Sequence, residues 1–293
     1  MTTAPAVPGT RRVTQAFQAA LAAMVTNERS ARLYLDGPRD ETRLALEPGD
    51  RDALRELARR SGPRLMTLAS LLSQRRFKRA AQLLPATREL LGEMFAAHWP
   101  AYLETAVPGM PSATEEAVRF ARFLRGTTAL EPLPAEVLRY EESLNEVSRR
   151  LVGRTAPAPA AAELARGDRV RLSDYVLIES FAYDVIAAVK ALRQSAPVPD
   201  AEHGPPRAIL FRPKNEEGVA VDVSVLPQVL ASCLVAAGEP TPVAVLIAAV
   251  PAEVQPALGS RLEYLLRAGI LVLCPADGTA ECPPDEARSR AVS

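Results

Sequence analysis

The chain has 293 residues, of which 48% are hydrophobic and 24% are charged, enough for one large or two ordinary globular domains. Its 35 basic and 35 acidic residues cancel, which argues against the broad positive field of a dedicated nucleic-acid binder. The first residues lack the pattern of a secretory signal, and the longest apolar run is far shorter than the ~20 residues that cross a bilayer. We therefore expect a cytoplasmic protein.

Residue types that build catalytic and metal sites are scarce. The two histidines, His98 and His203, are far apart in the sequence, and the cysteines Cys233, Cys274 and Cys282 do not have the spacing of a zinc site. The glycines are spread singly, so the sequence has no glycine-rich phosphate loop. The sequence therefore predicts a protein that is not an enzyme and that binds no cofactor by itself.

The first half of the chain, residues 1–152, has apolar residues at three- and four-residue steps and predicts an all-α bundle of roughly seven helices. We expect the sequence Ser61-Gly62-Pro63 to end the third helix, which carries Leu54, Leu57 and Ala58. The predicted helices lie at about 13–25, 28–35, 50–60, 64–84, 85–99, 112–124 and 134–151.

The second half changes in composition. Residues 153–169 are rich in proline and alanine and predict an interdomain linker. Residues 170–275 predict an α/β domain, in which strands at 208–212 and 219–223 form a hairpin. Three apolar helices at about 226–236, 243–249 and 255–268 follow, then a strand at 270–273, and this is the outline of a winged helix. The tail at 276–293 is expected to be disordered, and the fold class is α+β.

Two short segments, LASLLSQRR at 68–76 and LLPATR at 83–88, resemble a motif in partner proteins of multinuclear non-heme iron-dependent oxidative enzymes. The sequence LRYE at 138–141 is similar to a step near the end of that family's helical domain, whereas Gln74 stands where the family would have lysine. The resemblance covers about residues 15–150 and, more loosely, 170–273.

The resemblance implies a function as well as a fold. Partner proteins of this family are non-catalytic subunits that help the iron enzyme modify a ribosomally made precursor peptide, and the winged helices of such pathways bind its leader segment. The implied partners are therefore the iron enzyme and the precursor peptide. The iron is expected only in the enzyme, which is consistent with the scarcity of histidine in this chain.

The predicted hairpin supplies the candidate peptide-binding residues. An edge strand carries unpaired N–H and C=O groups, to which an extended peptide can pair as an added strand. We expect the alternating valines and the apolar side of the next helix to form a groove beside this edge; alternatively, these side chains simply fill the core of the domain. The residues are Val219, Val221, Val223, Leu226, Val229, Leu230 and Cys233.

A basic cluster, formed by Arg75, Arg76, Lys78 and Arg79, is the candidate partner-binding surface. It has three interpretations: contact with an acidic partner, contact with DNA phosphates, or a helix face that is merely solvated. The second would make the protein a winged-helix transcriptional regulator, which is the alternative function. Against it, residues 243–250 carry no polar side chain that reads base edges. A scaffold that binds one protein and no peptide is a third possibility.

Overall fold

A computed structural model describes residues 14–35, 46–105, 110–152, 164–199, 203–214 and 220–274. The expected α+β class is confirmed, because helices fill the first half and helices and strands alternate in the second. The helices of the first half are α1 (Gln15–Thr26), α2 (Glu28–Leu35), α3 (Pro48–Leu83), α4 (Pro85–Leu91), α5 (Glu93–Ala97), α6 (Trp99–Thr105), α7 (Ala113–Thr127) and α8 (Pro132–Leu151). The second half contains β1 (Arg169–Leu172), β2 (Leu177–Phe181), α9 (Val185–Arg193), β3 (Arg207–Pro213), β4 (Val221–Leu226), α10 (Gln228–Ala236), β5 (Thr241–Pro242), α11 (Val243–Ala248), α12 (Gln255–Arg267) and β6 (Leu271–Cys274).

The first two helices begin at side-chain caps. The Thr14 hydroxyl accepts a hydrogen bond from the Phe17 N–H at 3.1 Å, which satisfies one of the free donors at the start of α1. The Asn27 side chain accepts hydrogen bonds from the Arg29 and Ser30 N–H groups at the start of α2. Both helices therefore begin where local capping residues place them, and α2 has the bounds expected from the sequence.

The expected break at residues 61–63 is wrong, because α3 is one helix of 36 residues with Pro63 inside it. Pro63 lacks an N–H and so removes one helical hydrogen bond. The buried stripe of α3, however, continues across this point through Ala58, Gly62, Leu65 and Ala69. Packing of this stripe keeps the helix continuous, which local propensity alone would not do.

The single helix expected over 85–99 is also wrong, because the structure divides this segment into α4, α5 and the start of α6. Gly92, which follows α4, has a φ of 54°, a left-handed conformation that glycine adopts without steric cost. The Gly92 N–H still donates to the Arg88 carbonyl at 2.9 Å, so α4 ends with a satisfied cap.

The chain divides into two compact units. One contains Met1–Gln82 and Glu93–Phe120, and the other contains Leu83–Gly92 and Ala121–Ser293. The expected domain boundary after residue 152 does not coincide with this division, because α8 packs against β2, β3 and α9 in the second unit. Of the expected linker, residues 153–163 lie outside the described residues, and its last residue, Arg169, begins β1. The expected tail at 276–293 also lies outside the described residues.

The second unit contains two antiparallel three-stranded sheets, not one small sheet. Their strand orders are β5-β1-β6 and β2-β3-β4, so the hairpin and the last strand lie in different sheets. Both faces of β3 are buried. Ala208 and Leu210 pack in a core with α10, α11 and α12, while Ile209 and Phe211 pack in a core with α8 and α9. The β2-β3-β4 sheet is therefore held rigidly from both sides.

Candidate functional site

The outer edge of β4 is the first candidate site. Among the described strands, β4 pairs only with β3. The Lys214 N–H donates to the Ala220 carbonyl at 2.8 Å, which identifies Lys214 and Ala220 as a hydrogen-bonded pair of the ladder. Because hydrogen-bonded and non-hydrogen-bonded pairs alternate in an antiparallel ladder, every second residue from Ala220 directs its backbone toward β3. Val221, Val223 and Val225 therefore direct their N–H and C=O groups away from the sheet.

These outward groups have no hydrogen-bond partner in the part of the chain that the structure describes. No hydrogen bond joins the backbone of Val221, Val223 or Val225 to another described residue on the outer side of β4. Val225 is 53% exposed, and the other two valines are half-buried. The edge thus presents a short row of donors and acceptors in extended geometry, beside side chains that are partly accessible.

The opposite edge of the same sheet, formed by β2, is contacted by α8 near its C-terminal end. The Glu136 carboxylate accepts hydrogen bonds from the Ala182 and Tyr183 N–H groups, each at 2.9 Å, just past the end of β2. The Arg139 guanidinium donates to the Ser180 carbonyl, which points outward from β2. These contacts obstruct the addition of another strand at the end of β2. The outward N–H and C=O groups of Ile178, earlier in β2, form no hydrogen bond with another described residue.

The predicted peptide-binding side chains do not line one groove. Val221 and Val223 pack toward the core formed with α8 and α9, whereas the others in the described part of the chain face the opposite core. These others are Leu226, Val229, Leu230 and Cys233. Val219 lies outside the described residues. The strand pleat separates the two groups, because successive residues of β4 point to opposite faces.

Cys233 is a core residue of α10. Its side chain is 2% exposed, and its thiol lies 3.9 Å from the Leu246 carbonyl oxygen. Burial raises the pKa of the Cys233 thiol, so the neutral form is favoured. Leu226 is buried in the same core, and Val229 and Leu230 are partly buried against it. These four side chains support the sheet rather than present a surface.

Asp222 is the charged residue of β4. Arg212 on β3 donates to one oxygen of the Asp222 carboxylate, Oδ2, through Nε at 2.9 Å and a terminal nitrogen at 2.7 Å. No other described residue forms a hydrogen bond with Oδ1, and the Asp222 side chain is 37% exposed. One carboxylate oxygen therefore remains accessible beside the open edge.

Val225 belongs to the edge of β4, although it was not among the predicted peptide-binding residues. The sequence pattern predicted a strand that ends at residue 223 and a helix from about residue 226, whereas β4 continues to Leu226. The signal was present, because Val221, Val223 and Val225 alternate with polar residues at the two-residue period of a strand.

The basic cluster on α3 divides into surface and core residues. Arg75, Lys78 and Arg79 are exposed, and none of them forms an ion pair with another described residue. Arg76 is 7% exposed and forms two hydrogen bonds to the Glu116 carboxylate, at 2.6 and 2.9 Å. Arg76 therefore lies in the core of its unit, and its predicted place on a partner-binding surface is corrected.

The buried Arg76–Glu116 pair belongs to a wider network. Arg76 also donates to the Thr26 carbonyl at 3.2 Å, and the Tyr102 hydroxyl donates to Glu116 at 2.5 Å. Burial, with the hydrogen bond to Glu116, raises the pKa of Tyr102 well above its usual range. Every member has a hydrogen-bond partner, which is the condition for burying charge without a large cost.

Two leucines share the exposed face of α3. Leu68 is 41% exposed and Leu71 is 58% exposed. At about 100° per residue, Leu71, Arg75 and Lys78 fall on one side of the helix. A small apolar centre flanked by basic side chains has the composition of a protein-contact surface.

No protein-family model matches the sequence, and no curated protein matches it significantly. Within the described ranges, no three His, Cys, Asp or Glu side chains converge as a metal-ion site would require. None of the described helices has the length and apolar character needed to span a membrane. The functional argument therefore begins from the β4 edge and the exposed face of α3.

Proposed function

We propose that this chain is a non-catalytic accessory subunit that captures the leader of a ribosomally made precursor peptide and presents it to a multinuclear iron oxidative enzyme. The observation that carries the proposal is the outer edge of β4, which no described residue bonds, in a sheet whose other edge is bonded at one end by α8. The resemblance of residues 68–76 and 83–88 to partner proteins of such enzymes supports the choice of peptide and partner.

Capture by strand addition suits this edge. The outward N–H and C=O groups of Val221, Val223 and Val225 hydrogen-bond to the backbone of an extended peptide, whatever its side chains are. The β2-β3-β4 sheet is packed on both faces, so the protein loses little conformational freedom when the peptide binds. The ordering cost falls mainly on the peptide.

The chain contributes to the reaction through position. Holding the leader keeps the rest of the precursor at a high local concentration near the iron of the partner, so that an encounter of two molecules becomes a local one. The exposed face of α3, with Arg75, Lys78, Arg79 and Leu71, is the proposed docking surface for the enzyme. The iron and the oxidation chemistry belong to that enzyme.

A winged-helix arrangement is part of the proposal. The order α10, β5, α11, α12, β6 places three helices around strands that both pair with β1, which supports this assignment. In this arrangement the β2-β3-β4 sheet is an addition to the winged helix, and the peptide binds to the added sheet.

Co-expression with a multinuclear iron oxidative enzyme and a precursor peptide of the proposed pathway, followed by tag pull-down, tests the proposal. We expect a stable complex of all three, with iron present only when the enzyme is present. Recovery of the chain alone, with duplex DNA binding that weakens steeply with salt, would instead favour a transcriptional regulator. Recovery with the enzyme but never with the peptide would favour a scaffold.

A further inference from the structure

The β4 edge also carries information about the sequence of its ligand. We propose that the captured peptide alternates, with apolar side chains on the face toward α8 and a lysine or arginine opposite Asp222 on the other face. This inference rests on the proposed function, since it concerns the same edge. It holds for either direction of the added strand, because alternation of side chains does not depend on strand direction.

The face of β4 toward α8 is apolar. Val221 and Val223 pack there against the core that contains Tyr140 and Phe211. Val225 lies on the same face, since it pairs with Ile209 of that core, and it remains 53% exposed. Side chains directly opposite each other on neighbouring strands lie about 4.5–5.5 Å apart on the same face. A peptide residue opposite Val223 or Val225 therefore extends this apolar surface, and burial favours an aliphatic or aromatic side chain there.

The other face of β4 is polar at the edge. Asp222 and Ser224 point to this face, and both are partly exposed. The described charged group that hydrogen-bonds to Asp222 is Arg212, which occupies only Oδ2. A cation on the added strand reaches Oδ1 from the open side, and opposite charges on adjacent strands favour each other. This pair sets a preference for one class of side chain at one position of the peptide.

The preference is expected to be modest beside the backbone hydrogen bonds. A cross-strand charge pair at a half-exposed site favours the cation by about two- to fivefold in affinity. Apolar alternation carries a larger selection, because each missing contact exposes valine surface on β4. The ligand is thus recognised first as an extended strand and then by its alternation and its cation.

A random-peptide display library of 12-residue peptides, selected on the full chain, tests the inference. Peptides that also bind Val223→Pro are removed by counter-selection, because this change deletes the central outward N–H. We expect the remaining peptides to show apolar residues at alternate positions with enriched lysine or arginine between them. Selection on Asp222→Asn should reduce the cation enrichment two- to fivefold and leave the apolar alternation. Glu179→Gln on β2 is the matched control, and it should change neither.

The outcomes separate this inference from the proposed function. Peptides that depend on Val223 but show no alternation, or an equal cation enrichment on Asp222→Asn, overturn the inference and leave strand capture standing. A library without any peptide that depends on Val223 overturns both. If Val223→Pro does not fold, Val225→Glu replaces it, because the Val225 side chain is already exposed. That variant should exchange an apolar residue of the peptide for lysine or arginine, and an unchanged selection would overturn the inference.

Discussion

The two edges of the β2-β3-β4 sheet differ in the hydrogen-bond partners of their outward backbone groups. On β2, Arg139 and Glu136 of α8 bond the outward Ser180 carbonyl and the amides that come after the strand. On β4, the outward groups of Val221 and Val223 have no such partner among the described residues. Proteins usually blunt edge strands, because an open edge invites pairing with other chains. Because α8 obstructs one end of the β2 edge and no described residue bonds the outer edge of β4, β4 is the better candidate for pairing with an added strand.

The largest expected effect comes from loosening the helix that closes the β2 edge. Glu141 on α8 is fully buried and accepts hydrogen bonds from the Ala86 N–H at 3.0 Å, the Thr87 N–H at 2.9 Å and the Thr87 hydroxyl at 2.8 Å. Glu141→Ala leaves these three buried donors unsatisfied, and we expect the free energy of unfolding to fall by about 3–5 kcal/mol. Denaturant unfolding measures this.

The control for Glu141→Ala is Glu131→Ala, at an exposed residue just before α8. Its unfolding free energy should stay within about 0.5 kcal/mol of the parent chain. Equal effects of the two changes would show that Glu141 does not anchor α8 to the start of α4.

A proline placed on each edge sharpens the comparison. Val223→Pro removes an outward N–H from β4 and keeps the ladder to β3, since proline is tolerated where the N–H faces away from the sheet. The carbonyl of the bound peptide loses its donor, which should weaken leader binding about 10- to 100-fold. Ser180→Pro makes the same change on β2 and should leave binding unchanged. Titration calorimetry with the precursor leader distinguishes the two edges, and equal losses would contradict the assignment to β4.

Uncapping the closed edge should have a smaller effect. The Arg139 guanidinium donates to the Ser180 carbonyl and lies 4.6 Å from the centre of the Phe181 ring. Arg139→Ala should lower the unfolding free energy by about 1–2 kcal/mol through the lost hydrogen bond and cation–π contact. Arg139→Lys keeps the charge without the planar fork, so its effect should be intermediate. If thermal unfolding shows no difference for either variant, the cap does not contribute to stability.

The smallest expected effect is a pH dependence from the far end of α8. The hydrogen bond from Arg149, followed by that from Arg150, lowers the pKa of Glu146 from 4.5 to about 2, although burial opposes the shift. A depressed carboxyl pKa stabilises the fold above the unfolded value and loses this contribution as the pH falls through the folded value. The arginines are partly exposed, so we expect about 1 kcal/mol near neutral pH. The gap in unfolding free energy between the parent chain and Glu146→Gln should close from about pH 4.5 to pH 2; a constant gap would contradict this.

Local signals predicted much of the fold. α2 begins after an asparagine cap and keeps its expected bounds, and α10, α11 and α12 lie where apolar periodicity indicates helices. Strand β5 was missed because its two residues are too short for a periodic pattern. Strand β1 was missed although its residues, Arg169-Val170-Arg171-Leu172, alternate between polar and apolar. The break at Pro63 was wrong because distant packing overrides a local helix breaker.

The candidate site was only partly accessible from the sequence. The alternating valines of β4 indicate a strand in the sequence. In contrast, the sequence does not distinguish buried Arg76 from its exposed neighbours, because its ion-pair partner Glu116 lies on another helix. The sequence also does not indicate that side chains from α8 bond the β2 edge. Glu136 and Arg139 belong to α8, far from β2 in sequence, and only the tertiary structure places them on that edge.

Backbone amide hydrogen exchange of the full chain, with and without the precursor leader, tests the central claim most directly. Strand addition predicts that exchange slows at the outward amides of Val221, Val223 and Val225 when the peptide is bound, while the outward amide of Ser180 exchanges as before. Unchanged exchange along β4 in the presence of a bound peptide, or protection at the β2 edge instead, would contradict capture at this edge.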